Sequence, residues 1–259
     1  MKRAQTTIQF CIVKAGLFFR SVLGLMVILF SYSPTVSANS DQRFLLLESY
    51  PWAFYEDDQI RGASIDWLGD LARKHHFALT PVVTTYGRGI EMMKRGEIDY
   101  MVAPNSARYR DLSTPVFPVL TVPMVLVARP GISLTAPENL MALKSLGLVG
   151  GLTFDEITLD PVPLPPTEDV QPASGLRRMS AGRLDALIIS SFGLQAEAAR
   201  QDIPIHRWPQ RSIGTITLSL FTSAKAADNP QTVAVLRAVK EARDTRSYLP
   251  FVARYLPPQ

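Results

Sequence analysis

Apolar side chains recur along the chain at two alternating spacings. Short runs rich in Leu, Ile and Val read as strands, and stretches with apolar residues three and four apart read as helices. Residues 43–48 predict a first strand, and 63–74 a helix with Ile65, Leu68, Leu71 and Ala72 on one face. A β-branched strand at 79–85 follows, then a short helix at 88–95 stopped by Gly96, a strand at 98–102 and a strong strand at 123–128. The next unit opens with Thr135 and Glu138 spaced as a capping box, with Pro137 in the first turn.

Beyond it, 146–149 is a strand, and Gly150-Gly151 turns into a helix near Thr153. Residues 160–166 are a loop, because four prolines in seven positions forbid regular structure. A helix at 175–182 and strands at 184–189 and 216–221 come next. The last helices start at Asn229-Pro230, an N-cap followed by proline, and Val235, Val239 and Ala242 give the first of them a buried stripe. Strands alternating with helices define an α/β protein, and no internal repeat interrupts them.

The N-terminus sets the expected compartment. Lys2, Arg3, Lys14 and Arg20 precede any acidic residue, and residues 21–30 are uncharged and apolar, the length of a signal-peptide core. Val36-Ser37-Ala38 supplies the small residues of a cleavage site, so residues 1–38 are read as a signal peptide removed after Ala38, which places the mature chain in the periplasm. Those four basic residues account for the whole charge excess: the other 23 of the 27 match the 23 acidic ones. A neutral mature chain gives no reason to expect nucleic acid as a partner. Cys11, the one cysteine, also falls in the signal, so the mature chain has neither a disulfide nor a thiol nucleophile.

Several segments in order resemble the family-3 extracellular solute-binding proteins that serve polar amino-acid ABC transporters. Ser49-Tyr50-Pro51-Trp52-Ala53-Phe54, an acidic turn, then Gly62 and Asp66 resemble that family's opening of strand, aromatic loop and helix. Lys94-Arg95-Gly96-Glu97-Ile98-Asp99 is similar to its helix-to-strand turn, and Leu146-Gly147-Leu148-Val149 before Gly151 and Thr153 to a second-lobe strand and glycine turn. Ser180-Ala181-Gly182-Arg183-Leu184-Asp185-Ala186 is similar to the matching second-lobe turn. The resemblance implies a two-lobed periplasmic-binding-protein clamshell of type II with two hinge crossovers, near Val127 and Leu218. Lobe one would hold residues 39–127 and 218–259, and lobe two 128–217. It further implies a monomer that closes on a small solute and hands it to an inner-membrane permease, with no cofactor.

The resemblance also names ligand contacts. Trp52 would be an aromatic wall and Tyr50 a second one. In the turn 105–111 either Arg108 or Arg110 would grip a carboxylate through two parallel hydrogen bonds. Thr153 would sit at a helix N-terminus that attracts an anion. Arg88 is read as a solvated residue at a helix start. Where the family places an aspartate for the ligand ammonium, this chain has Ser190 and Ser191, which bring hydrogen bonds without charge. That departure points to an anionic solute over an ordinary amino acid. An exported dehydratase-like enzyme and a sensory module are the alternatives on the same scaffold. His75, His76 and His206 are read as surface residues, and no metal-ligand or nucleophile motif is present.

Overall fold

The computed structural model describes residues 42–105, 107–110, 114–149, 157–159 and 167–257. Strand β1 (Gln42–Leu47) leads through a short hairpin, β2 (Phe54–Glu56) and β3 (Gln59–Arg61), into helix α1 (Ala63–His75). Strand β4 (Leu79–Thr84), α2 (Tyr86–Lys94), β5 (Tyr100–Pro104) and α3 (Ala107–Arg110) follow. Strand β6 (Thr114–Ala128) then carries the chain to α4 (Pro137–Met141), β7 (Leu146–Val149), β8 (Ile157–Leu159) and β9 (Thr167–Val170). Helix α5 (Pro172–Ser180), β10 (Ala186–Ser190), α6 (Ser191–Arg200) and a 3-10 turn at Ile205–Arg207 complete that part. Strand β11 (Gln210–Thr222) returns the chain to α7 (Ala224–Ala227), α8 (Thr232–Asp244) and α9 (Leu249–Ala253).

Among the described residues, nine strands form one sheet in the order β4-β1-β5-β11-β6-β10-β7-β9, with β8 also paired to β11. The two long strands pair antiparallel with each other over most of their length. β11 pairs with β5 at Leu218–Thr222 end residues, whereas β6 pairs with β10 through Met124 to Ala128. The ribbon β6–β11 therefore carries parallel strands β1, β4 and β5 at one end and β7, β9 and β10 at the other. Its register slips between Ser212 and Gly214, Leu218 and Ser219, and Leu220 and Phe221, irregularities that bend and twist a strand pair.

Two pairs of apolar clusters flank these ends. Phe44, Leu68, Tyr100, Val119, Leu220 and Val239 belong to one cluster, and Leu45, Met101, Tyr109 and Phe221 to the opposite face. Val122, Met124, Leu126, Leu146 and Ile188 form a third cluster, and Val127, Leu176, Leu187 and Leu194 the fourth. The molecule is thus two-lobed, each lobe built on one end of the sheet with helices packed on it. The core changes between Val119 and Val122 on β6 and between Ile216 and Leu220 on β11. Leu218 packs against the third cluster, and Val127 belongs to the fourth.

Several local expectations shift. β6 and β11 extend well beyond the 123–128 and 216–221 runs, since pairing along the ribbon supports residues whose own pattern is interrupted by Pro115, Pro118 and Gly214. Asp99 ends the turn before β5, so that strand begins two residues later than the apolar run from Ile98. The capping box does not form: Ala136 is the N-cap of α4, and the Thr135 hydroxyl pairs with the Ser133 hydroxyl at 2.9 Å. Asn229 serves one turn early, its side-chain oxygen accepting from the Gln231 amide at 2.9 Å before α8 begins. His206 is exposed, in the 3-10 turn.

Candidate functional site

Strands β1, β7 and β10 end at the same opening between the lobes, where open α/β sheets offer backbone and loop groups to ligands. A cavity of about 490 Å3 lies there, within the roughly 300–1,000 Å3 range of small-molecule sites. Lobe one contributes the end of β1 with Glu48 and Ser49, the loop with Trp52, and the α1 face with Ser64 and Trp67. Lobe two contributes Val149, Gln171, Pro172, Ile189 and Ser190, and the ribbon supplies Leu120, Val122, Met124, Ile216 and Leu218. The wall is mainly apolar with a few hydrogen-bonding side chains, and Glu48 is the one charged residue among its described members.

The Trp52 loop is held by backbone bonds. Helix α1 has no side-chain cap; its amides at Ala63 and Ser64 donate to the carbonyls of Pro51 and Trp52, each at 2.9 Å. Gly62, with φ +131°, makes that approach possible, because a Cβ there would lie 2.3 Å from the Trp52 carbonyl oxygen. Ser49 and Ala53 close the loop with reciprocal bonds of 2.8 and 3.0 Å, and the Tyr50–Pro51 bond inside it is cis. The half-buried Trp52 ring meets Phe192 edge-on, with centroids 6.2 Å apart. Trp67, also on the wall, is buried and its indole nitrogen donates to Ser247 at 3.3 Å.

Ser190 sits on the opposite wall as the N-cap of α6, its hydroxyl accepting from the Gly193 amide at 3.1 Å, which leaves the O–H free to donate. Tyr50 is off the wall: its ring packs against Phe54 at 4.8 Å and Tyr255 at 6.2 Å, and burial raises its pKa, the Arg200 charge only partly opposing this. Arg110 is exposed and off the wall, donating to the Asn105 carbonyl at 2.9 Å and to its side chain at 3.2 Å. The Arg108 side chain and Thr153 lie outside the described residues. Arg88 is exposed, although its neighbours Thr85 and Gly87 reach the cavity. Sequence reasoning missed Glu48, Ser64, Thr85 and Gln171. For Glu48 a signal existed, a carboxylate at the C-terminal end of a strand.

Among the described residues no group of His, Cys, Asp and Glu could hold a metal, and no helix is long and apolar enough to cross a membrane. This architecture is that of the two-lobed periplasmic binding proteins. The substrate-binding protein of an amino-acid ABC transporter superposes with a TM-score of 0.63 at 14% identity, covering 83% of this chain and 98% of that one. A putative ABC transporter binding component from Wolinella succinogenes, complexed with lysine, gives 0.68 at 14% identity, with 85% and 97% covered. The ancestral amino-acid-binding protein AncCDT-1, a precursor of cyclohexadienyl dehydratase, gives 0.64 at 15% identity, with 86% and 98% covered. No protein-family model matches the sequence, and the comparison with curated proteins finds no match.

Proposed function

We propose that this chain is an exported solute-binding protein that captures a small, amino-acid-like solute in the interlobe cavity and delivers it to an ABC importer of the inner membrane. The observation that carries this reading is the cavity itself, an apolar chamber at strand ends with hydrogen-bonding groups from both lobes. Trp52 would stack on the apolar body of the solute, and Ser190 would donate a hydrogen bond from lobe two. Glu48 would face a cationic or hydrogen-bond-donating end, and Arg108 would take the carboxylate. Export would follow cleavage after Ala38, so protein recovered from the periplasm should begin at Asn39; a product retaining Met1 in the membrane fraction would contradict this.

One observation favours a second solute class. Ser190 brings no charge to lobe two, and its hydroxyl already caps α6, so a carboxylate lacking an α-ammonium would leave nothing unneutralised there. Calorimetric titration of unfolded and refolded mature protein with common amino acids and their deaminated acids separates the two. The amino-acid reading expects saturable one-to-one binding and at least about a tenfold loss in Glu48→Gln, or about 1.4 kcal/mol. Binding confined to deaminated acids would select the second class, and no binding by either set would reject both.

A further inference from the structure

The lobes also touch beside the cavity, through the loop that holds Tyr50 and Trp52 and through helix α6. Glu197 on α6 is buried, and its carboxylate accepts from Arg200 one turn on, with Nε to Oε2 at 3.0 Å and Nη2 to Oε1 at 3.1 Å. Gln201 donates to the same carboxylate at 3.1 Å. Such a two-pronged grip fixes the plane of a guanidinium, which a single-point ion pair does not. Held this way, Arg200 places its Cζ 5.0 Å from the centre of the Tyr50 ring. Within lobe one, Tyr50 is braced by Phe54 and Tyr255, whose own rings are 6.0 Å apart.

At the other end of the same helix, Phe192 meets the edge of Trp52 with the planes 85° apart. Tyr50 and Trp52 flank Pro51 in the loop that α1 holds by its N-terminal amides. Phe192 and Arg200 belong to a helix whose other side, Leu194 and Ala198, is buried in lobe two. The loop and the helix thus join at two points, Arg200 on Tyr50 and Phe192 on Trp52. The contacts, a cation over an aromatic face and an edge-to-face aromatic pair, are attractive in themselves.

We propose that α6 and the Tyr50–Trp52 loop form an interlobe latch that populates the closed arrangement before a solute arrives. Phe192 and Arg200 are then positioning residues: they stay off the cavity wall yet set affinity by raising the fraction of molecules already closed. The inference rests on the two-lobed architecture and extends the solute-binding reading to its conformational equilibrium. Glu197 acts one step further back, by orienting Arg200.

The mature sequence contains no cysteine, so spin labels can be placed at Gln59→Cys and Ser180→Cys, exposed positions in opposite lobes, without competition. Pulsed electron–electron resonance on refolded, solute-free protein should give mainly one short distance. In Phe192→Ala/Arg200→Ala a longer distance should grow several-fold, and Arg200→Lys, which keeps charge but loses the flat stack, should shift the same way. Tyr50→Phe, which keeps the ring, should retain the parent distribution. Circular dichroism confirms that each variant is folded. Identical distributions in the parent and the alanine variant, or a parent already fully open, would overturn the latch. If the latch fails and the titrations still bind, solute capture stands alone; if distances shift and nothing binds, the latch survives and the solute-binding reading falls.

Discussion

Asp99 and Asp185 occupy equivalent turns in the two lobes, and both are structural. Asp99 accepts from the Arg43 amide at 2.9 Å, pinning β1 to the turn before β5. Asp185 accepts from the Lys144 amide at 2.8 Å and from Arg129 Nε at 3.1 Å, joining the start of β7 to the end of β6. These two residues, which contribute to the resemblance to a binding-protein family, are thus fasteners of the scaffold. Burial opposes ionisation of Asp185, but the Lys144 amide and the Arg129 guanidinium outweigh it and hold the carboxyl below its ordinary pKa. Folding therefore favours the ionised form. Its contribution is full above the unfolded value of about 3.9 and fades as pH falls through the lower folded value. Chemical denaturation should show Asp185→Ala destabilised by about 2–4 kcal/mol at neutral pH, since it strands Arg129 and a backbone amide. Asp185→Asn should lose stability less steeply than the parent below about pH 4. An acid profile unchanged in Asp185→Asn would show that this carboxyl carries no linkage.

At the scale of elements, the periodic helices were the most legible part. The 63–74 pattern corresponds to α1, and Val235, Val239 and Ala242 are buried on α8. Features set by partners distant in sequence were not legible. The short β2–β3 hairpin rests on three residue pairs, and the N-terminus of α1 is satisfied by loop carbonyls where a sequence reader looks for a side-chain cap. The resemblance makes Tyr50 a second aromatic wall, and nothing local shows that its ring packs on Phe54 and Tyr255. Gly62 couples these levels, since the loop that presents Trp52 lies against its bare Cα. Gly62→Ala should cost about 2 kcal/mol or more, from a positive φ and a clash with backbone that cannot rotate away. The same change should weaken solute binding by displacing Trp52. A variant with parental thermal midpoint and affinity would show that the loop has room to move.

For the whole molecule, the alternation of strands and helices pointed to an α/β protein, and the order of several weak segments to a two-lobed fold. Neither could reveal that one continuous ribbon, β6 with β11, serves both cores, because pairing between residues 114–128 and 210–222 leaves no local trace. The solute-binding account gathers on the cavity at that ribbon, with Trp52 and Glu48 on one side and Ser190 on the other. Its most direct test begins with the small molecules released when gently purified mature protein is denatured, identified by mass spectrometry. Calorimetric titration of that solute into refolded parent, Trp52→Ala and Trp67→Ala then decides. The account predicts saturable one-to-one binding, weakened at least about tenfold in Trp52→Ala, the equivalent of about 1.4 kcal/mol, and less in Trp67→Ala. Parental affinity in Trp52→Ala, or no saturable binding of any released solute, would contradict it.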